Sequence, residues 1–139
     1  YFRIDPKFSG KYRKNQVFIT GTQFIPPTAK EVPYLMKEFI TEIPSLQQKY
    51  HSIEYATLLH LKLVTIHPFI DGNGRTSRLL LNFELMKNGY PPIIIKKEER
   101  ARYYDVLDLA HTTMNYEPFI ELVLKLVIES EKLWLSVLD

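Results

Sequence analysis

Between two apolar stretches of helical period, residues 67–78 read His67-Pro68-Phe69-Ile70-Asp71-Gly72-Asn73-Gly74-Arg75-Thr76-Ser77-Arg78. The residue before a proline is pushed out of the α region, so the first helix must stop at about Ile66 or His67. Its apolar residues Tyr55, Leu58, Leu59, Leu63 and Ile66 recur at helix spacing. Ser52 stands where an N-cap would stand, and Glu54 suits the dipole of the first turn. Gly72 and Gly74 flank Asn73, a backbone that can take positive φ and turn its N–H groups toward one point. The next helix then begins at about Gly74, with Leu79, Leu80, Phe83 and Met86 as its apolar positions.

The chemistry gathers in this loop. His67 falls at a helix C-terminus, where the dipole favours imidazolium and so strengthens the ring as a base. A glycine-rich turn entering a helix N-terminus is a ready anion site. Arg75 and Arg78 lie three apart on one side of that helix, and guanidinium forks suit phosphate oxygens. Asp71 precedes the cradle and is placed to hold Mg²⁺ bridging phosphates. Taken singly, each has a plainer reading: a structural His, a capping Asp, a solvated Arg face, a simple turn. Together they read as an active-site loop that handles a nucleotide's phosphates.

The stretch resembles the signature of the Fic family, His-Pro-Phe-x-Asp/Glu-Gly-Asn-Gly/Lys-Arg-x-x-Arg, at every specified position. The likeness runs from about Gly10 to the last helix and is closest to the branch of metazoan Fic adenylyltransferases and their bacterial relatives. It implies a mainly α fold, a Fic-fold helical bundle with a short β-hairpin flap near the N-terminus, and one catalytic domain over residues 1–139. It also implies transfer of AMP from ATP to a Ser, Thr or Tyr hydroxyl of a target protein, self-modification included. His67, Asp71, Asn73 and Arg75 would be catalytic. His67 would take the proton, Phe69 would anchor the loop, and Asp71 would hold Mg²⁺. The backbone of Gly72, Asn73 and Gly74 would cradle phosphate, and Arg75 and Arg78 would bind the β- and γ-phosphates. Glycine rather than lysine at position 74 favours nucleotidyl transfer over the phosphorylation of the Doc branch. Tyr104, Leu107 and His111 would line the adenine pocket, with His111 standing where the family has asparagine, which offers a different hydrogen-bond set.

Composition narrows the alternatives. A chain of 139 residues suits one domain, able to bury roughly 68% of its unfolded surface. No run approaches the roughly 20 apolar residues of a membrane helix. A net charge of +2 argues against nucleic acid. With no cysteine there is no disulfide or thiol chemistry, which fits a reducing cytoplasm; the chain is read as cytoplasmic and of bacterial source. No stretch reads as a signal peptide, and the start at Tyr1 without Met reads as a domain cut from a longer chain. Fic proteins are often silenced by a helix bearing Ser/Thr-x-x-x-Glu-Gly/Asn. No Glu here is followed by Gly or Asn, so either the chain is unregulated or, as the branch it resembles implies, an inhibitory helix is expected upstream of Tyr1. The rival readings are removal of AMP, transfer of another phosphate-linked group, a non-catalytic nucleotide-binding module and a small DNA-binding domain.

Elsewhere the pattern is structural. Residues 1–10 are irregular. Val17-Phe18-Ile19-Thr20 and Gln23-Phe24-Ile25 flank Gly21 and read as a hairpin over about 12–26, which Pro26-Pro27 ends. By pattern alone it is a surface hairpin without a role. The resemblance makes it a flap in which Val17, Phe18, Ile19, Thr20, Gly21 and Thr22 would hold the target by β-augmentation. Thr28 caps a helix to about Ile43, with Leu35, Met36, Phe39 and Ile40 inward, and Pro44 breaks it. The arginine-bearing helix should end near Asn88-Gly89, and Ile93-Ile94-Ile95 is extended and buried. A helix from Lys96 or Lys97 to about Ala110 carries Tyr103, Tyr104, Leu107 and Leu109. A last helix, capped by Asn115, carries Phe119, Val123, Leu126, Val127, Leu133 and Trp134. Leu135, Val137 and Leu138 would pack on a missing segment or on the second subunit of a homodimer.

Overall fold

The computed structural model describes residues 5–138, so the first four positions of the irregular N-terminal stretch lie outside the described residues. Five α-helices follow one another: α1 (Val32–Lys49), α2 (Ser52–Ile66), α3 (Asn73–Lys87), α4 (Arg100–Thr113) and α5 (Glu117–Leu138). A single 3₁₀ turn, Lys97–Glu99, leads into α4. No described helix is long and apolar enough to cross a membrane.

The bundle is built around α2. Its expected apolar stripe is present, but the helix is buried nearly all round, the pattern of a helix with neighbours on every side. One face sends Tyr55, Leu59, Leu63 and Ile66 against Val32, Met36 and Phe39 of α1. The other sends Ile53, Ala56, Leu61 and Val64 into a second cluster with α3, α4 and α5, around Leu85, Val106 and Phe119. Because α2 is gripped from both sides, its C-terminal end, and therefore His67, has a fixed position.

Three expectations about the helices need correction. First, α1 does not stop before Pro44 but runs through it to Lys49. The missing Pro44 N–H deprives only the carbonyl of Ile40, an exposed residue that water can serve. Continued packing of Ile43 and Leu46 on α2 outweighs the local cost. Thr28 stands a turn ahead of the helix, where its N–H and hydroxyl both donate to Glu31 Oε2 at 2.8 Å. Ile40, expected inward, faces solvent. Second, α3 turns a different face to the core. Ser77, Leu81, Glu84 and Leu85 are buried, whereas Leu79, Phe83 and Met86 are 63, 58 and 59% exposed. Third, α2 is capped by His51, whose Nδ1 accepts the Ile53 N–H, rather than by Ser52.

The Ile93–Ile95 run lies in no helix or strand, and only Ile93 is buried; Ile94 points to solvent. The Asn82 side chain takes the place of a partner strand. Its Oδ1 accepts the Ile93 N–H at 2.8 Å and its Nδ2 donates to the Ile93 carbonyl at 2.9 Å. At the C-terminal end of α5, Phe119, Val123, Leu126 and Val127 are core, while Leu133, Trp134, Leu135, Val137 and Leu138 are exposed.

Among the described residues there is no β-strand, so the expected hairpin is not formed as a ladder. Residues 14–26 instead make two irregular limbs joined by a turn at Thr20–Gly21, where Gly21 has φ +84°. Gln16 ties the limbs together through its side chain, with Nε2 donating to the Pro26 carbonyl at 3.0 Å.

The inverted face of α3 gives a direct test. Leu85→Ala, at a fully buried position, should cost about 2–5 kcal/mol. Phe83→Ala, on the exposed face, should change stability by less than about 0.5 kcal/mol. Urea unfolding of both variants measures the difference.

Candidate active site

His67 ends α2 in a left-handed conformation, φ 53° and ψ 58°. Pro68 forbids another α residue there, and the backbone turns out of the helix while the His67 N–H still bonds the Leu63 carbonyl at 3.0 Å. The imidazole Nδ1 lies 3.2 Å from the Val64 carbonyl. A carbonyl can only accept, so Nδ1 carries the proton and Nε2 is left with a lone pair. Burial pulls the His67 pKa below its ordinary value; the Val64 carbonyl works against that and the Arg13 charge adds to it. The helix dipole was expected to favour imidazolium. Burial reverses that expectation, and the ring stands as a neutral base.

The loop beyond it is held by its own side chains. Asn73 is buried, and its amide brackets Phe69: Oδ1 accepts the Phe69 N–H at 2.9 Å and Nδ2 donates to the Phe69 carbonyl at 2.8 Å. It was expected to assist at the phosphates, and in this geometry its side chain shapes the loop. Phe69 is half-buried against Tyr12, ring centroids 6.3 Å apart, and Pro68 is fully buried beneath. Gly72 takes φ +83° at the N-cap of α3, a conformation that side chains resist. No side chain caps this helix, so its first N–H groups have no intrahelical acceptor, the feature from which helix N-termini bind anions. Asp71 accepts the Gly72 N–H at 2.7 Å and pairs with Arg75 at 3.0 Å across an exposed surface.

Arg78 lies one turn further in. Its Nη1 donates to the Tyr103 hydroxyl at 3.5 Å, and its guanidinium sits 5.8 Å from the centroid of that ring. A side chain at Gly74 would begin 3.2 Å from the same Nη1, so the bare backbone there leaves room for the guanidinium.

These groups border one cleft of about 610 Å³, with His67, residues 71–75 and Arg78 on one side. Tyr103, Tyr104, Leu107, Asp108 and His111 of α4 form the other, and Ile19–Thr22 lie across it. The volume is that of a small-ligand site. Tyr104 is at the exposed rim and Leu107 is buried in the wall. His111 stacks on Phe24 at 4.2 Å with Nε2 buried and unbonded. Burial, opposed by the Asp108 carboxylate, takes its pKa down to about 4. The Thr22 hydroxyl donates to the Asp108 carboxylate and pins the turn to α4. Val17 and Phe18 do not border the cleft, and Phe18 is 77% exposed. Among the described residues no cluster of three or more metal-type ligands exists. Asp71 as a single carboxylate fits Mg²⁺, which keeps water and substrate phosphates as its other ligands.

Sequence patterns gave no sign of Arg13. This buried cation donates through Nε to the His67 carbonyl at 2.6 Å and through Nη2 to the carbonyls of Pro27 and Ile66 at 2.5 and 3.3 Å. Its Nη1 reaches Asn15 at 3.1 Å, and its own N–H bonds the Pro68 carbonyl at 2.9 Å. Tyr103 and Asp108 are further cleft residues that sequence reasoning did not assign. The helical spacing of α4 from Tyr104 and Leu107 was the available signal. Arg13→Met should cost at least about 2 kcal/mol because several buried carbonyls lose their donor. Arg13→Lys should not restore it, since an ammonium cannot fork to these positions; thermal unfolding checks both.

Known proteins resemble this chain over most of its length. The profile of the Fic/DOC family matches residues 2–85. A protein adenylyltransferase Fic of Drosophila mojavensis is 46% identical over 121 residues, covering 86% of this chain and 24% of that protein. The protein of the same name from Drosophila melanogaster gives the same figures. Among solved structures, Fic-1 (aa134 - 508) from C. elegans superposes with a TM-score of 0.85 at 34% identity, over 96% of this chain and 39% of that one. A Fic domain containing signaling protein from Bacteroides thetaiotaomicron gives 0.77 at 29% identity, over 91% and 54%. The chain thus spans about a quarter of the length of the curated relatives it matches.

Proposed function

The chain belongs to the Fic/DOC family, and we propose that it transfers AMP from ATP to a Ser, Thr or Tyr hydroxyl of a target protein. The observation that carries this reading is the neutral His67, its Nε2 lone pair unspent, bordering the same cleft as the N-terminus of α3. The name protein adenylyltransferase borne by relatives at 46% identity supports it.

In this mechanism the target hydroxyl gives its proton to His67 Nε2 as its oxygen attacks the α-phosphorus of ATP. The new O–P bond forms in line with the breaking bond to the β-phosphate oxygen, and pyrophosphate leaves. The N-terminal amides of α3, with Arg75 and Arg78, neutralise the β- and γ-phosphates. Mg²⁺ held by Asp71 would supply further neutralisation of the leaving group. Arg75 would exchange its exposed partner Asp71 for phosphate at little cost, since such surface pairs are weak. Positioning and preorganised charge carry the rate. The adenine base would lie toward Tyr104, Leu107 and His111, which border the cleft on the α4 side.

The limbs of the flap support a role for Val17–Thr22 in presenting the target. Among the described residues no backbone ladder joins them, which leaves main-chain groups able to pair with an incoming strand. Such pairing would place a hydroxyl over the cleft while reading little of its sequence. Glycine at position 74, where the resembling Doc branch carries lysine, supports nucleotidyl over phosphoryl transfer.

The test is label transfer in a Mg²⁺-containing lysate with α- or γ-labelled ATP. Label should pass to protein from the α position only. His67→Ala should lower the rate roughly 10²–10⁴-fold, the share of a positioned acid–base group, with nucleotide binding retained. Label from the γ position would mean a kinase-like reaction and would contradict the proposal.

A further inference from the structure

One buried titratable group has no part in the steps above. His60 lies in the middle of α2, fully buried, with Nε2 2.9 Å from the Tyr103 hydroxyl and Nδ1 bonded to nothing. Its ring stands edge-on to Tyr103 and packs against Phe119 at 5.0 Å. As a packing residue it is a poor choice, because a buried polar atom without a partner is a net cost and a leucine would avoid it.

The directions of the hydrogen bonds say what it does. Arg78 can only donate, so the Tyr103 oxygen must accept on that side. Burial raises the Tyr103 pKa, so the hydroxyl keeps its proton. Burial, with the charge of Arg78, lowers the His60 pKa to about 3, so the imidazole is neutral and, with its own proton on Nδ1, can accept the hydroxyl hydrogen at Nε2. His60 thereby points the hydroxyl hydrogen away from Arg78 and turns the oxygen lone pairs toward the guanidinium. Arg78 also lies close to the bare Gly74, where an added Cβ would stand 3.2 Å from its Nη1.

Resting on the nucleotide reading above, the geometry points to His60 as a positioning residue that acts through the Tyr103 hydroxyl to hold Arg78 for the terminal phosphates of the nucleotide. Two consequences separate this from a packing role. Only ligands that carry the outer phosphates feel the relay, and removing the whole relay need not harm the fold. Replacing both members of a buried polar pair by apolar groups is close to neutral.

The experiment measures ATP and AMP affinity by calorimetry, and melting temperature, for the wild type, Tyr103→Phe, His60→Gln and the double variant His60→Leu/Tyr103→Phe. Tyr103→Phe should weaken ATP about tenfold and leave AMP unchanged, the size expected for one hydrogen bond to a charged group. The double variant should bind ATP no more weakly than Tyr103→Phe alone and melt at or above its temperature. His60→Gln, which keeps an acceptor near the Nε2 position, should stay closer to the wild type. Equal losses for ATP and AMP, or unchanged ATP affinity in Tyr103→Phe and the double variant, would overturn the inference. A wild type that binds no ATP would instead overturn the functional reading on which it rests.

Discussion

A single buried guanidinium joins the parts of this molecule that must act together. Arg13 donates to the carbonyls of Ile66 and His67 at the end of α2, where the helix dipole is negative. The same group bonds Asn15 and Pro27 at the two feet of the flap, and its backbone N–H holds Pro68. Burial pulls its pKa down, yet an arginine remains protonated in proteins, so a full charge sits among four backbone carbonyls. Removing it would loosen the helix end, the start of the loop and the flap at once. The left-handed turn at His67 is a strained state for a side-chain-bearing residue, and Arg13 and Pro68 are what over-determine it.

From that junction the site follows by short steps. The position of α2 between two core clusters fixes His67 in space. Its Nδ1 is occupied by the Val64 carbonyl, which selects the tautomer, and burial together with the Arg13 charge keeps the ring neutral. Asn73 closes the loop back on Phe69, so the α3 N-terminus opens toward the base rather than away from it. Across the cleft, α4 contributes the residues that receive the flap turn, through Thr22 on Asp108 and Phe24 on His111. His67, the N-terminus of α3 and the turn at residues 20–22 are thereby brought to one cleft, although they come from three separate regions of the chain.

What the sequence made legible was what is local. The loop could be read because its hydrogen bonds span one to four residues, Asp71 to Gly72 and Arg75, and Asn73 to Phe69. The end of α2 could be read because Pro68 leaves no alternative. Pro44 misled because the packing of α1 on α2 outweighs one lost helix bond. The face of α3 was inverted because Ser77 and Glu84 occupy buried positions while Leu79, Phe83 and Met86 stand outside, so counting apolar residues selected the wrong side. The hairpin was read from β-rich runs around a glycine, but the limbs are tied by the Gln16 and Arg13 side chains rather than by a ladder. Arg13 and His60 were invisible because their partners lie 54 and 43 residues away, and nothing in a short window distinguishes them from a surface arginine and a core histidine.

The account depends on His67 being a neutral base with its lone pair on Nε2. Nitrogen-15 NMR of the imidazole, followed from pH 5 to 8 (a range set about the ordinary histidine pKa of about 6.5), measures that directly. The structure predicts a titration below that ordinary value, because burial and Arg13 disfavour the charged ring more than the Val64 carbonyl favours it. On the basic side of the transition the proton should reside on Nδ1. A ring protonated at neutral pH, or a neutral ring carrying its proton on Nε2, would contradict the account.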